Sequence, residues 1–298
     1  MREASFDVIV CGSLHLDIVV KAAALPRLDE TVVGTSWAQV CGGKGGNQAM
    51  QAARAGARVA MIGRVGTDAF GETLLANLIS SDVNVKAIGR DAGQGSGMSV
   101  AILQGDGEYG AAIVSGANTA IDPAALGVVW SDLGGARVVV LQNEVPHAVN
   151  VAAAKVAHKA GALVVLNAAP ARPCPDDLLD HVDVLVVNRI EAEALSGVAV
   201  ANRGSARMAL AALRQGQGQG RGLRAIIVTL GGEGLVVSPP SGEVFEVEAL
   251  PVKVTSTHGA GDCFVGVLAA RLAEGQSLVA SCHEANRTAA AFVSRPQS

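Results

Sequence analysis

The chain has 298 residues, half of them hydrophobic, and 23 basic against 27 acidic side chains give a net charge of −4. That apolar share fills a large core, whereas the mild acidity and the few aromatic rings (one Tyr, two Trp, five Phe) argue against nucleic acid as a partner. The five cysteines, Cys11, Cys41, Cys174, Cys263 and Cys282, are odd in number and lack a CxxC pair, which speaks against a disulfide framework or zinc site and fits a reducing compartment such as the cytoplasm. Residues 1–10 lack the basic start and long apolar run of a signal peptide, and no stretch has the length of a membrane span.

In chain order, residues 8–10 open as a short β-branched strand. Gly12 is followed by Ser13, Leu14 and His15 without the further glycines of a dinucleotide turn, so that reading fails. His15 and Asp17 alternate with Leu14, Leu16 and Ile18, which turns both polar side chains to one face of an extended segment. They contact substrate hydroxyls or form a solvated strand face. The segment 18–40 interrupts the rhythm that follows: helical period over 47–55, a strand at 59–62, helical period over 73–80.

Gly42, Gly43, Lys44, Gly45, Gly46 and Asn47 bring a closely approachable backbone, a cation and an amide to the start of a helix. The spacing is not that of a Walker loop, since Gln39 stands where a glycine is needed and Gly45 follows the lysine. A plain glycine-rich turn with a helix cap accounts for the same residues. Further on, 98–103 and 109–114 flank Gln104, Gly105, Asp106 and Gly107 and read as a β-hairpin. Lid strands are expected within 13–41 and 97–115, forming a small sheet that projects from a single domain spanning 1–298.

The second half alternates more regularly, with strands at 137–141, 163–167 and 184–188 and a helix at 149–160. The pattern predicts an α/β fold with a mostly parallel sheet covered by helices on both faces. Ligands of such sheets sit beyond the carboxyl ends of the strands, which makes Asn143, Glu144, Asn167 and Asn188 candidates by position. Asn188 and Glu191, three apart, reach one side of a first helical turn, suited either to a hydrated Mg²⁺ or to a capping box. The glutamine–glycine run 215–220 reads as a low-complexity surface loop. Finally, Thr257, His258, Gly259, Ala260, Gly261 and Asp262 lead into a helix whose free N–H groups and dipole favour a phosphate; Asp262 is a proton acceptor there or a helix cap. Cys263 is expected to pack.

Taken together, Gly12, Ser13 and Asp17, the run from Gly42 to Ala49, Asn188 with Glu191, Thr229 to Gly232, and Gly259 to Asp262 resemble the ribokinase branch of the PfkB-type carbohydrate kinases, in order and over nearly the whole chain. The resemblance implies a ribokinase-like three-layer fold with a small β-sheet lid, dimerisation through that lid, and Mg²⁺-dependent transfer of the γ-phosphoryl group of ATP to a primary hydroxyl of a sugar. It implies that His15, Asp17, Gly43, Lys44, Asn47 and Glu144 hold the acceptor, that Asp262 is the base, and that Gly259, Ala260 and Gly261 donate backbone N–H groups to the phosphoryl. Asn188 and Glu191 would organise Mg²⁺ through water, while Asn188, Thr229, Gly231 and Asn286 would line the nucleotide pocket. Two positions depart from the pattern. His15 stands where ribokinases carry an asparagine that contacts a sugar hydroxyl, and Ser256 stands where potassium-activated members carry a cation-ligating aspartate. The chain also ends at Ser298 after Arg295, Pro296 and Gln297, without the small-residue segment that completes the cation site, so strong K⁺ activation is not expected. A nucleoside kinase on the same scaffold and a catalytically silent sugar-binding module are the competing readings.

Overall fold

The valine and isoleucine runs of β-strands such as 8–10, 138–140 and 226–228 are too apolar to leave either side of a strand in water, and each is buried on both faces. The computed structural model describes residues 4–104, 109–216, 223–239 and 243–295. Its first half runs β1 (Phe6–Cys11), β2 (His15–Ala22), β3 (Gly34–Gly42), α1 (Lys44–Arg54), β4 (Val59–Gly66), α2 (Ala69–Ser80), β5 (Val83–Asp91), β6 (Gly97–Leu103), β7 (Tyr109–Val114) and α3 (Leu126–Leu133). The second half runs β8 (Ala136–Gln142), α4 (His147–Lys159), β9 (Leu163–Asn167), α5 (Asp176–Leu179), β10 (Val184–Asn188), α6 (Arg189–Ser196), α7 (Arg203–Gly216), β11 (Ala225–Thr229), β12 (Leu235–Ser238), β13 (Phe245–Val247), α8 (Ala260–Ala273) and α9 (Leu278–Val293).

Nine strands form one sheet in the order β13-β12-β11-β10-β9-β8-β1-β4-β5, parallel from β11 through to β5 and antiparallel at β12 and β13. Alternate residues of one strand enter opposite cores. Val8, Val10, Val138 and Val140 pack with α1, α2, α8 and α9, whereas Ile9, Cys11, Val139 and Leu141 pack with α3 to α7. This is the expected three-layer arrangement. Among the described residues no helix is long and apolar enough to cross a membrane.

The second sheet has the order β3-β2-β6-β7, with β2 and β6 parallel and the outer pairs antiparallel. Its β6–β7 pair is the expected hairpin, with Leu103 opposite Tyr109; turn residues 105–107 lie outside the described residues. Only residues 12–14 separate β1 from β2, so the lid strand leaves the carboxyl edge of the main sheet directly above its ends. Buried Asn118 fixes the junction: its Oδ1 accepts the Leu14 N–H at 2.9 Å and its Nδ2 donates to the Leu14 carbonyl at 2.8 Å.

Two boundaries differ from the sequence reading. Helix α1 begins at Lys44, not near Asn47, and α7 continues through Gln215 and Gly216 into the run read as a loop, the rest of which lies outside the described residues. In α1 the glycines are helical for a steric reason. A Cβ on Gly45 would stand 2.6 Å from the Ser13 nitrogen, and one on Gly46 would stand 2.9 Å from a Leu14 methyl.

Candidate active site

The carboxyl ends of β1, β8, β9, β10 and β11 lie along one edge, and the N-termini of α1 and α8 converge on it. Gly266 of α8 sets how closely these helices approach, because a Cβ there would meet the Gln48 carbonyl oxygen at 2.6 Å and the Ala52 nitrogen at 2.9 Å. The crossing delivers Asn47 and Gln48 to Asp262. Asn47 Nδ2 donates to Asp262 Oδ2 at 3.1 Å, and Gln48 Nε2 donates to Oδ1 at 2.9 Å. Gln48 also donates to Asn167 Oδ1 at 3.0 Å and is fully buried.

Asp262 is therefore no helix cap. The cap position is Gly259 at φ 75°, and the carboxylate accepts side-chain amides from another helix. Burial pushes its carboxyl above the ordinary 3.8, against the lowering by Lys44, Asn47 and Gln48; Glu144 adds to the rise. The next residue, Cys263, is buried, its thiol pushed up to about 11, as packing requires.

Around Asp262 lies an open cleft of about 540 Å³, lined among others by Lys44, Asn167, Asn188, Glu191, Thr229, Gly259 and Gly261. At its floor α8 presents its positive end. The Ala260 N–H, expected to face the phosphoryl group, is bonded to the Thr257 carbonyl at 3.2 Å. Gly259, Gly261 and Asp262 donate to no backbone or side-chain acceptor among the described residues, which leaves their N–H groups available to an anion at this helix end. Asn188 and Glu191 do form the capping box: Asn188 Oδ1 accepts the Glu191 N–H at 3.0 Å and Glu191 Oε2 accepts the Asn188 N–H at 2.8 Å. Asn188 Nδ2 occupies the other Glu191 oxygen at 2.9 Å. With both oxygens engaged, this carboxylate suits a cation reached through water.

The remaining candidates group on the lid side of Lys44. Glu144 Oε2 accepts the Lys44 backbone N–H at 2.8 Å and the Ser13 hydroxyl, joining the β1–β2 junction to α1. Gly43, at φ 85°, admits only glycine, since a Cβ would stand 2.8 Å from the His15 nitrogen. Asp17 accepts the Ser99 hydroxyl from β6, and His15 is buried beside Glu144, Nδ1 to Oε2 4.0 Å. Asn143 donates to the Pro170 carbonyl at 3.1 Å, Gly231 stands in the turn after β11, and Asn286 on α9 donates to the Glu248 carbonyl at 2.8 Å; these three, like His15, Asp17, Gly43, Asn47 and Glu144, are not among the residues that line the cleft around Asp262. Sequence reasoning missed Gln48, Ser13 and Asn118 as parts of the site's frame.

Glu191 is also raised above its ordinary 4.5, chiefly by burial. A carboxyl raised by folding favours the native state below its unfolded value, and that contribution disappears as pH climbs through the raised native value. Glu191→Gln removes the titration. The melting temperature of the variant minus that of the wild type is expected to increase as pH rises above 4.5; a flat difference across a calorimetric pH series would show that the carboxylate is not desolvated.

A profile of the pfkB family carbohydrate kinases matches residues 5–298. The ribokinase of Bacillus subtilis is 34% identical over 287 residues, spanning 96% of this chain and 92% of that protein. The deoxyribokinase of Salmonella typhi is 32% identical over 264 residues, spanning 88% and 84%. Among solved structures, Arabidopsis thaliana ribokinase complexed with ribose and ATP superposes with a TM-score of 0.89 at 28% identity, covering 99% of this chain and 95% of that one. With the family profile matched over nearly the whole length and curated relatives at 34% and 32% identity, the chain belongs to the pfkB family of carbohydrate kinases.

Proposed function

We propose that the protein phosphorylates a primary hydroxyl of ribose or a closely related pentose at the expense of ATP, with Asp262 accepting the hydroxyl's proton. The observation that carries this reading is the Asp262 carboxylate, held by Asn47 and Gln48 at the N-terminus of α8 and lining the cleft with Lys44. Phosphoryl transfer asks chiefly for alignment and charge neutralisation. The free N–H groups of Gly259, Gly261 and Asp262 stabilise the equatorial oxygens and Lys44 supplies positive charge; the acceptor's hydroxyl oxygen attacks the γ-phosphorus as its proton passes to Asp262, and the bond from that phosphorus to the β–γ bridging oxygen breaks, its electron pair leaving with ADP. Asn188 and Glu191 would hold, through water, the Mg²⁺ that accompanies ATP, which would add neutralising charge. Thr229 lines the same cleft, on the nucleotide side.

Asp17, Glu144 and the Gly43–Lys44 backbone hold the sugar beneath the lid. On Asp17's face of the lid the adjoining rungs carry His15, Gly42, Gly97, Val40, Ser99, Val19, Ala38 and Ala101; the one ring among them, the His15 imidazole, is buried and not open to stack on a base, which favours a sugar over a nucleoside. Exposed Trp37, Val100 and Val114 on the opposite face suit a second copy of the chain in a lid-mediated dimer. All five cysteines are free, in keeping with a cytoplasmic enzyme.

Strong activation by a monovalent cation is not expected from the residues present. The Ser256 hydroxyl, which stands where a carboxylate ligand is needed, accepts the His258 N–H at 3.2 Å, and the Val293 carbonyl receives the Thr255 N–H at 2.8 Å. ADP release should be measured with Mg·ATP over pentoses, deoxypentoses, keto-deoxy sugar acids and nucleosides. Turnover confined to pentoses, and unchanged when K⁺ is exchanged for tetramethylammonium, is expected. Turnover of nucleosides alone, or of nothing, would overturn the reading.

A further inference from the structure

Gln48 on α1 is fully buried, and its Nε2 donates twice, to Asp262 Oδ1 at 2.9 Å and to Asn167 Oδ1 at 3.0 Å. Asn167, the last residue of β9, donates in turn from Nδ2 to the Val186 carbonyl of β10 at 3.3 Å. Both ends of this chain are acceptors, since neither a backbone carbonyl nor an ionised carboxylate has a hydrogen to give. One group between them must therefore donate in both directions. The Val186 carbonyl turns the Asn167 amide so that its oxygen faces Gln48, and that oxygen together with the carboxylate demands the NH₂ end of Gln48 and uses both of its hydrogens. A hydroxyl, with one hydrogen, could not fill the position. The Oε1 of Gln48 is left buried without a partner among the described residues, an arrangement that is unfavourable in itself and persists because the amide is held this way round from both sides.

Of the two bonds to Asp262, the one from Gln48 is buried and the one from Asn47 is partly open to solvent. Gln48 thus holds the inner oxygen of the carboxylate and Asn47 the outer one. We infer that Gln48 is a positioning residue for the base: it acts only through Asp262, fixing the plane of the carboxylate and keeping it ready to receive a proton, with the direction of its own amide set by Asn167. This rests on the reading of Asp262 as the proton acceptor. An N–H bonded to a carboxylate stabilises the charged form, so loss of the Gln48 amide should make the base easier to protonate. The other charges that reach Asp262 are Lys44 on α1, Glu144 beyond β8 and Glu191 on α6, and all three remain when Gln48 is changed.

The test measures kcat, KM and the pH profile of kcat/KM with Mg·ATP and the sugar in the wild type, in Gln48→Met and in the paired variant Gln48→Met/Asn167→Leu. Methionine keeps the length of the side chain without a donor. The paired change also removes the acceptor that methionine leaves unpaired, and it serves if the single variant does not fold. Gln48→Met is expected to lower kcat by about 10- to 100-fold, to change the KM values by less than about threefold, and to move the acid limb of kcat/KM up by about one pH unit. The paired variant should show the same loss of kcat and the same displaced limb. In an Asp262→Asn background, Gln48→Met should lower kcat no further, because its route to the reaction is gone. A folded variant with the kcat and acid limb of the wild type, or a loss that persists in full in the Asp262→Asn background, overturns the inference while leaving the kinase reading intact. A wild type that turns over no acceptor, or an Asp262→Asn variant that keeps most of its rate, overturns both.

Discussion

Asp262→Asn is expected to lower kcat by about two to four orders of magnitude with Mg·ATP and the sugar, while the KM values change little. The substitution keeps the shape of the side chain and removes the proton acceptor. One of its new N–H donors will face Asn47 or Gln48, which now donate to the carboxylate at 3.1 and 2.9 Å, and Asn47 can turn its amide to answer this. The loss should therefore be chemical and not structural, which circular dichroism and a retained melting temperature would check. In the proposed mechanism Asp262 accepts the proton in its ionised form. Because burial holds its carboxyl above 3.8, the acid limb of kcat/KM should lie above the ordinary aspartate range, with activity falling as pH drops through the raised value. A variant retaining most of the rate would remove Asp262 from the chemistry, and an unaltered chain that binds ATP but phosphorylates no acceptor would favour a silent sugar-binding module.

Gly266→Ala should be costly although it lies a full turn beyond the site. The added methyl would meet the Gln48 carbonyl oxygen at 2.6 Å, Gln51 Cβ at 2.7 Å and the Ala52 nitrogen at 2.9 Å, and two of these are backbone atoms that cannot swing aside. Helices α1 and α8 must separate, at about 1–3 kcal/mol of stability. The same separation carries Asn47 and Gln48 away from Asp262, and a displacement of this kind is expected to lower kcat/KM by about a hundredfold. Gly127→Ala is the control. That helical glycine has nothing within 4 Å of its missing Cβ, so the change should be neutral or slightly stabilising. Equal behaviour of the two variants in thermal melts and turnover would show that the helix crossing does not set the site.

What could be read from the sequence follows the range over which its signals act. The Asn188–Glu191 capping box, the β6–β7 hairpin and the parallel strands at 163–167 and 184–188 are local patterns, and each is present. Asp262 was open between cap and base because both readings use the same few neighbours. Its partners Asn47 and Gln48 lie more than 200 residues earlier, a separation of 215 and 214 positions. Gln48 escaped notice for the same reason: nothing in its helical neighbourhood marks it as the link between Asn167 and Asp262. The early start of α1 was hidden by Gly45 and Gly46, poor helix formers whose presence is dictated by the backbone of residues 12–14 packed against them. Ala260 shows the converse, a residue in the right motif whose N–H is spent on Thr257.

Asn118 grips both backbone groups of Leu14, one residue before the lid begins. Mechanically, the lid is a plate clamped along one edge. Displacement of such a plate would vanish at the clamp and grow with distance, so any bending of the lid would leave His15 and Asp17 nearly in place and move Lys21, Trp37 and the far ends of β2 and β3 most. On the proposed reading, holding the sugar and admitting it would then fall to opposite ends of a single strand.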